Sequence, residues 1–92
     1  MARGYTKHAC LRFKQRYGVE VERYDVKEIR ECGYIKTDFR RGSGIQKYLK
    51  EREEKLEGSI AYIYRSKIFI LVKNTVITTW KLPERFLQAY DI

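Results

Sequence analysis

Ser59-Ile60-Ala61-Tyr62-Ile63-Tyr64-Arg65, Ile68-Phe69-Ile70-Leu71-Val72-Lys73 and Thr75-Val76-Ile77-Thr78-Thr79-Trp80-Lys81 are three runs rich in β-branched and aromatic residues. At most two residues separate one run from the next. Ser66-Lys67 and Asn74 leave room only for tight turns, which predicts an antiparallel meander over residues 59–82. The middle run is apolar at almost every position, as expected of a strand covered on both faces or flanked on both sides. Pro83 ends the third strand, and a short helix is expected over residues 84–90.

The segments before the meander read as helices. Thr6 is placed to cap a helix over residues 6–17, and Gly18 to close it in a left-handed conformation. Its core side would be Cys10, Phe13 and Tyr17. Asp25, followed three residues later by Glu28, opens a second helix that ends at Gly33. There Val26 and Ile29, with Cys32 beside them, would face inward. Val19-Glu20-Val21-Glu22 reads as a connector. Residues 34–39 read as a short strand or an irregular crossing, and Arg40-Arg41-Gly42-Ser43-Gly44 as a pliable basic loop. The spacing of Ile45, Tyr48, Leu49 and Leu56 suits a third helix over residues 45–57. Helices followed by strands predict an α+β fold in two layers, with N-terminal helices packed on a three- to four-stranded antiparallel meander. Phe13 and Tyr17 would pack on one face of the sheet, leaving the other face or its rim for a ligand. The 92 residues suffice for one domain spanning 1–92.

The formal net charge of +8 points to a polyanionic partner, most often nucleic acid. The surplus is spread over residues 1–23, 36–52 and 65–85, a basic surface and not a basic tail. No apolar run approaches the roughly 18 residues that a bilayer span needs, and no signal-peptide core opens the chain. A cytoplasmic protein with no membrane partner is therefore expected. Cys10 and Cys32 fit no CxxC pattern and read as small apolar fillers in a reducing compartment. With one histidine, a zinc site would need carboxylates to complete it, so neither metal nor cofactor is expected.

That histidine, His8, precedes Arg12 by four residues and Arg16 by eight. On a helix the three form a stripe roughly 12 Å long within about 80° of arc. A proton acceptor beside two permanent cations suits metal-free phosphodiester cleavage, whereas the plainer reading is a solvated basic face.

A helix of the form His-x-x-x-Arg-x-x-x-Arg, with a closing strand that carries Ile, Thr and an aromatic residue (here Ile77-Thr78-Thr79-Trp80, with Thr78 in the place of the threonine), resembles the small RNase domains grouped with barnase, EndoU, colicin D and RelE. His8-Ala9, Arg12 and Gln15-Arg16-Tyr17-Gly18 look most like uncharacterised bacterial and phage members of that group. The resemblance implies metal-independent RNA cleavage through attack of the 2′-hydroxyl. His8 would serve as base or acid, Arg12 and Arg16 would clamp the phosphate, and Thr78 would offer its hydroxyl. Should His8 be the base, the acid would be a Lys, Arg or Tyr, with Tyr62 and Tyr64 available. Lys7, Arg40, Arg41, Lys47, Arg65 and Lys81 are the expected nucleic-acid contacts. The alternatives are a non-catalytic nucleic-acid-binding module and a small basic protein that binds and inhibits a protein or nucleoprotein partner; an antitoxin or another protein is the candidate protein partner. Tyr5, Tyr34, Tyr48 and Tyr90 are the candidates for stacking on bases.

Overall fold

The computed structural model describes residues 4–18 and 24–92. The expected connector Val19-Glu20-Val21-Glu22, and Arg3 and Arg23 of the first basic region, lie outside these residues. Among the described residues the fold is α+β, with four helices and an open antiparallel sheet of three strands. Helices α1 (Lys7–Tyr17), α2 (Val26–Cys32) and α3 (Gly44–Glu54) precede strands β1 (Ser59–Tyr64), β2 (Lys67–Val72) and β3 (Thr75–Lys81), and α4 (Glu84–Ala89) follows them.

Caps define the helix starts. Thr6 accepts from the Ala9 amide, Asp25 from that of Lys27 and Ser43 from that of Gln46. Gly18 closes α1 at φ 70°, the left-handed geometry expected of it. Gly33 ends α2 for a different reason. Its φ of −73° suits any residue, but a Cβ there would run into the Ile29 carbonyl and approach that of Ile63.

The strands pair in the order β1-β2-β3 through two-residue turns. The first turn is Arg65-Ser66, both residues at positive φ, and not the expected Ser66-Lys67. Such a pair matches the strand twist. No fourth strand is found among the described residues. Tyr34 makes a single antiparallel bridge to Ile63, and residues 36–38 form a 3₁₀ turn. The Glu53 carboxylate, paired with Lys36 at 2.5 Å, accepts from the exposed-edge amide of Ala61. These contacts cover part of the β1 edge, where further strands would otherwise add.

The expected two layers are three. Tyr5, Ala9, Phe13, Val26 and Ile29 pack with Tyr62, Phe69, Leu71 and Val76 on one face of the sheet. Ile45, Leu49, Leu82 and Phe86 pack with Ala61, Ile63, Ile68 and Ile70 on the other. Helices α3 and α4 therefore cover the face expected to stay open for a ligand. Burial of β2 on both sides is what its continuous apolar run requires. Phe13 and Ile70 are both buried, on opposite faces, and Val72 is half-buried. The cysteines differ from expectation in part. Cys10 packs partly buried against the first core, but Cys32 is exposed and fills nothing.

Candidate nucleic-acid interface

Helix α1 lies along the outer edge of β3. Tyr5 bridges to Val76, the Thr6 hydroxyl donates to the Ile77 carbonyl at 3.1 Å, and the Tyr17 hydroxyl donates to that of Trp80 at 2.6 Å. Along β3, Ile77 is an extra residue: Ile70 faces Thr78 while Leu71 faces Val76. This bulge breaks the alternation. Val76 and Thr79 therefore both face the α1 side, and Thr78 and Trp80 face the α3 side.

Arg16 crosses that edge. Its guanidinium donates to the Thr79 carbonyl and sits over the Trp80 ring, 4.7 Å from the centroid. From the opposite side, Arg52 of α3 reaches the same ring at 4.7 Å and Lys55 at 5.1 Å. Arg52 also lies 4.5 Å from the Tyr48 centroid. Tyr48, Arg52 and Lys55 recur at i, i+4 and i+7, so they form a second stripe, which meets Arg16 of the first at Trp80.

The electrostatics of this seam are one-sided. No carboxylate pairs with Arg12, Arg16, Arg52 or Lys55 among the described residues. Burial, and then the neighbouring Arg12 charge, push the Arg16 guanidinium below its ordinary value. Cation–π contacts offset this repulsion by about 0.5–1 kcal/mol each at exposed sites. The Nε of Arg52 is buried without an acceptor. Lys67 and Lys81 stand directly opposite each other at the same end of the sheet, a further like-charge pair.

The expected site residues are brought together only in part. His8 is exposed and Arg12 is exposed, its guanidinium 3.3 Å from the Gln15 side chain. Thr78 is half-buried on the α3 side, beside Trp80, and its hydroxyl has no hydrogen-bond partner among the described residues. Of the stripe, Arg16 makes the crossing to that side; no contact joins His8 or Arg12 to Thr78. Tyr62 and Tyr64 sit on β1, separated from β3 by the middle strand. Tyr62 is buried in the first core, and the Tyr64 hydroxyl donates to Glu28 at 3.0 Å.

Lys7, Arg40, Arg41, Lys47, Arg65 and Lys81 are all exposed. Arg40 and Arg41 lead into α3, Lys47 lies on it, and Lys81 follows Trp80. Arg65 is in the first hairpin turn, 5.5 Å from the Tyr64 ring centroid. Among the described residues no three His, Cys, Asp or Glu side chains gather as a metal site. A cavity of about 650 Å³ lies elsewhere, lined by Gly4, Asp25, Lys27, Arg30, Glu31 and Asn74 among others. Its charges balance, which gives no preference for an anion.

No family model, curated protein or solved structure matches this chain. No helix among the described residues is long and apolar enough to cross a membrane.

Proposed function

We propose that this chain is a single nucleic-acid-binding domain of the cytoplasm, and that RNA lies along the seam between α1 and α3. The observation that carries the reading is the convergence of Arg16 and Arg52 on Trp80 without a carboxylate. Like charges held together without a counter-charge are relieved by a ligand that brings negative charge and acceptor oxygens. The surplus of +8 extends the attraction over the surrounding surface. The test is binding of a labelled RNA oligonucleotide across a salt series. Affinity that falls steeply with salt, and falls again when Arg52 is replaced, supports the reading. Affinity indifferent to salt overturns it and favours a protein partner.

Metal-independent RNA cleavage, the activity implied by the resemblance to the barnase, EndoU, colicin D and RelE group, is the second reading. It is favoured by an unpartnered, exposed His8 at the head of the Arg12–Arg16 stripe and by the free Thr78 hydroxyl beside the seam. In that reading His8 exchanges the proton, the arginines hold the phosphate, and Thr78 contacts it across the edge. Fragments formed in EDTA by the native chain, and lost in His8→Ala, distinguish cleavage from binding alone.

A further inference from the structure

We infer that the seam recognises the phosphate backbone and not the bases, so that its ligand class is a phosphodiester or polyphosphate chain read without sequence preference. The inference rests on the nucleic-acid reading above and adds what part of the nucleic acid is held.

Base recognition by a folded surface needs a free aromatic face or a side chain that reads base edges. The seam offers no free aromatic face, and of the groups left to meet a base edge the Arg52 fork matches guanine alone, while the Thr78 hydroxyl discriminates little. Arg16, Arg52 and Lys55 are all seated over the Trp80 ring, so a base must displace a cation to stack there. Tyr48 is covered by Arg52 and meets the Phe86 ring at 5.6 Å. The neighbouring Tyr17 carries Lys67 at 5.3 Å and packs on Phe13 at 4.9 Å.

The other stacking candidates lie away from the seam. Tyr5 is buried, Tyr34 is 42% exposed but bridges the opposite edge of the sheet, and Tyr90 meets Phe39 edge-on. Of the amides on α1 and α3, Gln15 is engaged by Arg12, and Gln46 is buried, accepting from the Gly42 amide and donating to the Lys36 carbonyl.

What the seam does offer is donors. A guanidinium held over a ring still presents N–H groups at its rim, and phosphate oxygens meet such a fork in pairs. Arg52 makes no side-chain hydrogen bond among the described residues, and its buried Nε lacks an acceptor. Trp80 and Tyr48 therefore act as platforms that orient Arg52, leaving the fork for an oxygen ligand. Arg16 is held in the same way but spends one donor on Thr79.

The experiment measures binding of the full chain to fluorescein-labelled 12-nucleotide oligo-U, oligo-A, oligo-C and alternating U-G RNA at low salt, with inorganic polyphosphate as competitor. The inference expects the four affinities to agree within about threefold. It also expects polyphosphate to displace RNA at comparable phosphate concentration. Arg52→Met should weaken both ligands by about tenfold, the scale of one charge-assisted hydrogen bond. Arg52→Lys keeps the charge but not the fork and should fall between. A circular-dichroism melt confirms that both variants fold; if Arg52→Met does not, Arg52→Lys alone carries the comparison.

A preference above about threefold among the oligonucleotides, or RNA that polyphosphate does not displace, overturns the inference and leaves the nucleic-acid reading in place. Polyphosphate binding without RNA binding overturns that reading and supports phosphate recognition. Failure of both ligands to bind overturns both.

Discussion

The guanidinium of Arg16 on α1 stands 4.7 Å from the ring centroid of Trp80 on β3, on the far side of the strand from the core that α1 helps to form. A helix that packs on one face of the sheet thus delivers a cation to the other. Trp80 receives Arg52 from α3 as well, and the two basic elements are joined at one aromatic ring.

Replacing Arg16 with Met removes one phosphate contact and leaves the platform. The slope of log affinity against log salt should become shallower by about 0.7–0.9, the value of one neutralised phosphate. A slope unchanged from the native chain, measured by anisotropy over the same salt range, removes Arg16 from the interface.

Arg40 and Arg41 are exposed in the turn before α3, without a carboxylate partner among the described residues. Reversing both charges (Arg40→Glu, Arg41→Glu) should weaken RNA binding and leave the melting temperature within about 2 °C, as expected of surface substitutions. A folded variant that binds RNA as tightly as the native chain takes this loop out of the contact surface.

Much of the fold was legible in local chemistry. Thr6, Asp25 and Gly18 mark helix ends by hydrogen-bonding and conformational rules that act within a few residues. The apolar run of β2 already required cover on both sides, but it could not say whether helices or neighbouring strands supplied that cover. The residue that settles this is Ile70, which meets α3 and α4 while its neighbour Phe69 meets α1. The bulge at Ile77 was not legible. Plain alternation would put Val76, Thr78 and Trp80 on one side, whereas the extra residue moves Val76 to the other. Nor does the sequence single out Arg52 and Lys55, although their spacing from Tyr48 was there to be read. Their convergence with Arg16 is a tertiary event between segments some 36 residues apart. The exposure of Cys32 was not legible either, because a small apolar side chain fits both environments.

The three-layer arrangement makes a stability prediction. Phe13→Ala and Ile70→Ala should each cost about 2–5 kcal/mol, because each leaves a cavity in a different closed core. Denaturant midpoints measure both. A cost below 1 kcal/mol at Ile70 would mean that its face of the sheet is open, as a two-layer fold requires.

Tyr17 sets an alkaline limit. Burial pushes its hydroxyl from 10.0 up to about 12, so the unfolded chain loses this proton first. A raised value in the folded state contributes stability that is full below pH 10 and is lost as the pH rises to about 12. Burial raises the Tyr5 hydroxyl too, in the same direction. Tyr17→Phe should lower stability at neutral pH by about 0.5–1.5 kcal/mol, through loss of the bond to the Trp80 carbonyl, and flatten the decline above pH 10. Urea unfolding at successive pH values tests both effects; a decline equally steep in the variant assigns it to another group.

Catalysis is tested at His8. Loss of a general acid or base costs about 10²–10⁴ in rate, so His8→Ala should abolish EDTA-resistant cleavage while its RNA affinity stays within twofold. If neither the native chain nor the variant cuts RNA, the stripe is a binding face and nothing more.

Trp80 is the single tryptophan of the chain, and the proposed ligand must meet the cations seated on it. The most direct measurement is therefore its intrinsic fluorescence during titration with an RNA oligonucleotide, set beside the anisotropy of the same RNA carrying a label. A saturable change in Trp80 emission should coincide with the anisotropy curve, reverse on addition of salt, and shift to higher RNA concentration in Arg52→Met. RNA that binds by anisotropy while Trp80 emission stays constant would contradict the account, because the interface would then lie away from the β3 edge.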